Sequence, residues 1–263
     1  MLNSKHLAKL IIVLLTAQIS FAQLGFSHEI GVIAGPVAFK SDFGLRSEFE
    51  TNAGNTGFGI GIVHYINFAY QADCNCYTTD NYFNDHFKLR TEISYNKTKL
   101  EHFGEFVDPS RTGVGAQQLR GHKGEANNFD IGMQIEYFPL SIRSFQAFSY
   151  KLAPFVSFGA HYVSFNPEVS STFTPPPGTN TFYSPWFVTP DSEPIDVSGG
   201  NTWSVVTSIG ARYKLTTSSD LMIDLRGQYY FNDLVDGLDH ELVYNKNDDW
   251  LVWLNFGYIY YLD

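Results

Sequence analysis

Ten charged side chains recur at alternate positions in five stretches of this chain, and they are its strongest candidates for chemistry. Each faces away from a row of apolar neighbours, as Asp224 and Arg226 do within DLMIDLRGQYYFN (Asp220–Asn232). The acids are Glu29, Glu92, Asp130, Glu136 and Asp224, and the bases are Lys88, Arg90, Arg212, Lys214 and Arg226. Together they could form a self-neutralising network, because buried charges persist only when paired, or they could line a narrow path for ions.

The sequence offers little for an enzymatic site. His161 and Ser164 could be a base and a nucleophile, but a strand period of two places them on opposite faces. His64 falls among the apolar positions of its own stretch. No G-x-S-x-G, H-E-x-x-H or P-loop pattern occurs. We therefore expect no enzymatic activity, no cofactor and no metal site.

Apolar and polar residues alternate in eight stretches of the chain, and these stretches must position the charges. They lie near Phe26–Phe39, Gly57–Tyr70, His86–Leu100, Asn128–Phe138, Lys151–Phe165, Thr202–Leu215, Asp220–Asn232 and Trp250–Leu262. Several match the roughly 9–11 residues of a tilted membrane-spanning strand. An even number of strands lets a barrel close with both termini on one side. The sequence therefore predicts an all-β fold, an eight-stranded antiparallel up-and-down transmembrane β-barrel; the alternative is a secreted soluble β-sandwich.

The first 22 residues predict export. Lys5 and Lys9 precede the apolar run Leu10–Leu15, and Ser20-Phe21-Ala22 places small residues where a signal peptidase cleaves. Residues 23–263 are then a single barrel domain. The formal charge of the chain is −10 and becomes more negative once those two lysines are removed. This charge argues against nucleic acid as a partner.

Cys74 and Cys76 are the two cysteines of the chain. We predict a local disulfide between them, because an exported protein meets an oxidising compartment, although a bridge across one residue is strained. The alternatives are a soft-metal site, free thiols, or pairing with another chain. Two thiolates alone fall short of four-coordinate zinc.

Long connections are predicted at about residues 40–56, 101–127, 166–201 and 234–249, on the extracellular side of the barrel. The third is rich in proline and aromatic residues, and Phe182, Tyr183, Trp186 and Phe187 form a candidate interaction site. Exposed aromatic residues are typical of surfaces that bind a partner. The alternative is that these side chains fold back over the barrel mouth or join an aromatic girdle.

A signal peptide, eight alternating strands and an aromatic C-terminal strand resemble the small outer-membrane β-barrel proteins of Gram-negative bacteria. HEIGVIAGPVAFKSDFG (His28–Gly44) and GIGIVHYINF (Gly59–Phe68) resemble more specifically an uncharacterised family of that class. The resemblance implies a location in the bacterial outer membrane. Such barrels commonly end on an aromatic residue, whereas this chain ends Tyr260-Tyr261-Leu262-Asp263, with its last aromatic two residues from the end.

The leading functional hypothesis is a non-enzymatic structural or accessory subunit that acts through its extracellular loops. Its expected partners are outer-membrane lipid and other outer-membrane proteins. A narrow passive pore for ions or small solutes is the second hypothesis. An outer-membrane enzyme that processes lipid or peptide is the third.

Overall fold

The computed structural model describes residues 26–45, 48–68, 82–183, 195–239 and 249–262. The predicted signal peptide, Cys74, Cys76, Trp186 and Phe187 lie outside these ranges. Among the described residues, no helix is long and apolar enough to cross a membrane.

Nine antiparallel strands dominate the described chain. They are β1 (Ser27–Lys40), β2 (Thr56–Asn67), β3 (Phe87–Glu101), β4 (His122–Tyr137), β5 (Leu152–Phe165), β6 (Glu168–Ser171), β7 (Gly200–Thr216), β8 (Ser219–Tyr230) and β9 (Trp250–Tyr261). Short helices lie in the connections: α1 (Phe49–Asn52), α2 (Tyr82–His86), α3 (Val114–Gly121) and α4 (Ile142–Gln146), with 3₁₀ turns at Glu105–Val107 and Asp233–Val235.

Eight of these strands close into a barrel. Each pairs with its neighbour in chain order, β6 being passed over, and β9 returns to pair with β1 through partners such as Ala34 and Phe256. The short strand β6 pairs instead with the outer end of β4. The predicted eight-stranded antiparallel barrel is therefore confirmed, and closure leaves no open edge in its wall.

The barrel wall has an apolar exterior and a polar interior. Ile62 and Ile209 face outward with 56% and 64% of their surface exposed, whereas inward-facing Arg90 and Glu136 are 0% exposed. A soluble sandwich would bury the apolar face, so that alternative is wrong. A closed barrel with this exterior spans a membrane, because each of its strands is hydrogen-bonded to a neighbour on both sides, and barrels of this type lie in outer membranes.

The connections between strands are divided between the two ends of the barrel, which we call the inner rim, where the described chain begins and ends, and the outer rim. Both described chain ends lie at the inner rim, together with the connections after β2, β4 and β7; the last of these is only two residues long. At the inner rim the connection after β2 (residues 68–86) is as long as that after β8 (residues 231–249), and the connections after β1, β3, β5 and β8 lie at the outer rim. They contain more regular structure than the sequence predicted: β4 begins at His122, inside the stretch 101–127, and its extension pairs with both β3 and β6.

Candidate functional site

The centre of the barrel lumen is built around two arginines. Arg226 on β8 donates two hydrogen bonds of 2.7 Å to the two carboxylate oxygens of Glu92 on β3. Arg90, two residues before Glu92, lies 2.7 Å from Glu92, 3.1 Å from Asp224 and 3.4 Å from Glu136. These three carboxylates come from three different strands, so the two guanidinium groups tie opposite sides of the wall together.

A second group of charges lies towards the inner rim. Glu29 on β1 accepts hydrogen bonds from Lys88 and from Arg212, at 2.5 Å and 2.6 Å. Arg212 also donates to Glu136 at 3.1 Å, which joins this group to the central one. The ammonium of Lys214 lies 3.4 Å from Asp220. Asp220 was not among the predicted charges, although it shares the inward register of Asp224.

Towards the outer rim the network continues through neutral groups. Asp130 accepts hydrogen bonds from Gln228 at 2.6 Å and from Asn96 at 3.3 Å. His161 is buried with Nδ1 3.8 Å from Asp130 and Nε2 3.1 Å from Gln134. Ser164 faces the exterior, so the structure does not bring a hydroxyl nucleophile from that position to His161. Among the described residues, no group of three or more His, Cys, Asp or Glu could hold a metal ion.

Aromatic rings fill the space between the charges. These inward rings were not predicted from the sequence. The guanidinium of Arg212 stacks 4.0 Å from the centre of the Tyr65 ring, and that of Arg226 lies 5.0 Å from Trp253. Lys214 lies 3.8 Å from the ring centre of Tyr261. The lumen is therefore packed with rings as well as ion pairs, since cations are attracted to ring faces.

The inner rim is closed by an apolar cluster, the inner closure: Phe138, Ile142 and Phe145. Ile142 and Phe145 project from α4, which Ser141 caps by accepting a hydrogen bond from the backbone N–H of Ser144 at 3.1 Å. All three members are at most 2% exposed. The connection after β4 therefore folds under the barrel.

The outer rim is closed by a second apolar cluster, the outer closure: Phe43, Leu100, Val235 and Leu238. Each of these side chains is 0% exposed. They come from the connection after β1, the end of β3 and the connection after β8. Asp42 strengthens the contact between two of these connections, because its backbone N–H donates to Asp236 at 2.9 Å.

Two members of the predicted aromatic interaction site lie in the described part of the chain, and both pack against their own molecule. Phe182 is half-buried and meets the ring of His122 edge-on, with centroids 5.2 Å apart. Tyr183 is half-buried beside Gly115 of α3. Gln118 of α3 also donates hydrogen bonds to the carbonyls of Asn180 and Phe182. For these two residues the contacts favour packing over the mouth.

Fold and lumen together define an eight-stranded transmembrane β-barrel with a filled interior. No protein-family model matches the chain, and no curated protein does.

Solved structures of outer-membrane proteins resemble it at low identity. Neisserial surface protein A is 13% identical over 89% of this chain and 96% of its own, with a TM-score of 0.42. A major outer membrane protein from Thermus thermophilus is 15% identical over 89% and 99%, with a TM-score of 0.43. Outer membrane protein OprG from Pseudomonas aeruginosa is 11% identical over 89% and 97%, with a TM-score of 0.42.

Proposed function

We propose that the protein is a non-enzymatic outer-membrane barrel that serves as a structural or accessory subunit through its outer loops. The observation that supports this most is the filled lumen. All ten predicted lumen charges are at most 2% exposed: Glu29, Lys88, Arg90, Glu92, Asp130, Glu136, Arg212, Lys214, Asp224 and Arg226. Side chains so fully enclosed have no water-filled path beside them. The inner closure and the outer closure cover the two ends of the lumen. The lumen then serves stability, which leaves the loops as the working surface.

The placement of the chain in the membrane belongs to the same proposal. Exposed aromatic residues occur at two levels, Tyr95, Phe129 and Trp203 near the outer rim and Tyr213 and Tyr258 near the inner rim. Such levels are typical of aromatic girdles at the two membrane interfaces. With a cleaved signal peptide, the inner rim and both termini would face the periplasm, and the four outer-rim connections would face outward.

Single-channel recording in planar lipid bilayers tests the filled lumen against the narrow pore. Purified full-length protein is expected to give no stable openings, as an empty bilayer of the same composition does. Stable openings in the wild type that are lost in Arg90→Gln, Arg226→Gln or Glu136→Gln would overturn the plug and establish an ion path through these groups. A gel shift between unboiled and boiled samples confirms that each variant has folded into a barrel.

Affinity purification from mild detergent tests the accessory role. Phe106 and Val114 are exposed apolar residues on an outer connection, at 41% and 45%. A partner captured by the wild type should be lost from a Phe106→Asp/Val114→Asp variant. Leu140→Asp is the matched control, because Leu140 is 44% exposed at the inner rim. Equal capture by all three proteins would contradict a role for this outer surface.

A further inference from the structure

Two histidines meet at the outer end of the β3–β4 hairpin. Nε2 of His102 lies 3.0 Å from Nδ1 of His122, and the rings stack with their centroids 5.2 Å apart. His102 follows β3 directly and His122 is the first residue of β4. Both lie beyond the apolar belt, since the exterior of β4 changes from Phe129 to the charged Glu125 and Lys123 as it approaches His122. We call His102 and His122 the histidine pair.

Three of the long outer connections meet at this pair. Phe43, from the connection after β1, stacks on both rings with centroids 5.1 Å from His102 and 4.9 Å from His122. Phe182, from the connection after β5, meets His122 edge-on. His102 itself begins the connection after β3. Because Phe43 also belongs to the outer closure, the histidine pair holds several loops over the barrel mouth at one point.

The pair is suited to respond to protons. A neutral imidazole both donates and accepts, so two neutral rings can share one hydrogen bond. Burial at 1% exposure lowers the pKa of His122 to about 3, because the charged form would lose its hydration. The described elements packed around it also carry titratable groups: Asp42 beside Phe43, Tyr183 beside Phe182, Glu168 on β6, and the ion pair of Lys123 with Glu101, whose atoms lie 2.9 Å apart.

We infer that His102 and His122 form an acid-sensitive latch, which releases the outer loops from the barrel mouth when the pH falls. The inference deepens the proposed function, and rests on it, because it assigns a regulation to the loops proposed as the working surface. Loop docking is fully stable above the ordinary histidine pKa of 6.5 and weakens as the pH falls from there towards about 3. Proton uptake by His122 alone makes opening about thirty times more frequent at pH 5 than at pH 8.

Hydrogen exchange of the full-length protein in detergent, read by mass spectrometry, measures this opening. The informative segments are 41–45, 102–121 and 166–183, with the barrel strands as the internal reference. Wild type and His122→Phe are compared at the same pH, which cancels the intrinsic dependence of exchange on pH. Phenylalanine keeps the ring contacts with Phe43 and Phe182 but cannot be protonated. The wild type should open about thirty times more often at pH 5, and His122→Phe should show no such increase.

The second histidine pair of the barrel supplies the matched control. His28 and His64 lie 3.1 Å apart, nitrogen to nitrogen, near the inner rim. His64→Phe should leave the pH response of the outer segments unchanged. An equal response in wild type and His122→Phe overturns the latch, and so does loss of the response in His64→Phe.

The wild-type profile decides the matter even where a variant does not fold, because a flat profile from pH 8 to pH 5 also overturns the latch. Failure of the latch and failure of the proposed function remain distinguishable. A flat profile with partner capture intact removes only the latch. Loss of partner capture with a pH-dependent profile removes only the accessory role.

Discussion

Removing one partner of a buried ion pair lowers the stability of a protein more than replacing both partners does, because the remaining charge stays buried without its partner. Arg226 and Glu92 form the clearest such pair in this barrel. Both side chains are at most 2% exposed and share two hydrogen bonds of 2.7 Å. Arg226→Ala leaves Glu92 with fewer buried partners and is expected to lower the free energy of unfolding by about 3–5 kcal/mol. The Arg226→Met/Glu92→Met double variant should lose clearly less. Urea unfolding in detergent, followed by the gel shift, measures the free energy of unfolding of both variants. Equal losses in the two variants would mean that Arg226→Ala leaves no unpaired buried charge at Glu92.

Phe148 carries backbone strain at the end of α4. Its φ of 59° is the one positive value of a non-glycine residue in the described ranges, and it occupies the position after a helix where glycine is usual. Phe148→Gly is expected to be about 1 kcal/mol more stable than Phe148→Ala, because both lose the ring and only alanine keeps the strain. Thermal unfolding of the two variants gives the difference. If they are equally stable, the strain at this residue is negligible.

At the residue scale, the period of two predicts which way a side chain points but not which partner it meets. The register placed Arg90, Glu136 and Arg226 inward, and the structure buries them. Their contacts join residues that are far apart in sequence, such as Arg226 and Glu92 at a separation of 134. Such contacts depend on the stagger of strands around a closed barrel, which no local pattern specifies. Asp220 could have been found from its parity with Asp224, whereas the alternation gives no sign that the rings of Tyr65 and Trp253 point inward.

Among the elements, β4 depends on a glycine where a loop closes over it. A Cβ added to Gly124 would lie 2.3 Å from Cζ of the Phe43 ring. Gly124→Ala should therefore displace Phe43 from the outer closure and weaken loop docking by about 1–3 kcal/mol. Limited proteolysis of the outer loops measures the effect. Gly113→Ala is the matched control, because nothing lies within 4 Å of a Cβ at Gly113; equal cleavage of the two variants would contradict the role of this close approach.

Most strands were predictable from the sequence to within a few residues. β4 begins six residues before its predicted start at Asn128, and the short elements between the strands were not predicted. β9, predicted as Trp250–Leu262, spans Trp250–Tyr261. Each of its side chains meets either lipid or the lumen, so the alternation is read directly from residue types. The five residues of α4 and the four of β6 carry too few apolar positions to show a period. They form because Ile142 and Phe145 bury their side chains at the barrel rim, and because the outer extension of β4, which does not pair with β5, is free to pair with β6.

For the molecule as a whole, the alternation predicted a lumen of charged side chains, and the structure modifies this. Apolar side chains such as Ile33, Val63 and Ile259 also point inward and are at most 1% exposed. An interior of eight strands is just wide enough for side chains to fill. Paired charges and apolar packing fill it together, and the two closures complete the seal. The loops that form these closures could not be predicted, because their contacts are set by the finished barrel.

A substitution on the exterior of the barrel tests most directly whether that surface contacts lipid or water. Ile209 lies on the outward face of β7, opposite Val156 and Leu225 in the neighbouring strands, and is 64% exposed. In lipid vesicles, Ile209→Lys should lower the free energy of unfolding by about 2–4 kcal/mol, because the ammonium would be buried in hydrocarbon. Asn201→Lys, on the same face of the same strand at the outer rim, should cost at most about 1 kcal/mol. A protein whose exterior met water would not show this order, since a lysine in place of an exposed isoleucine costs nothing there.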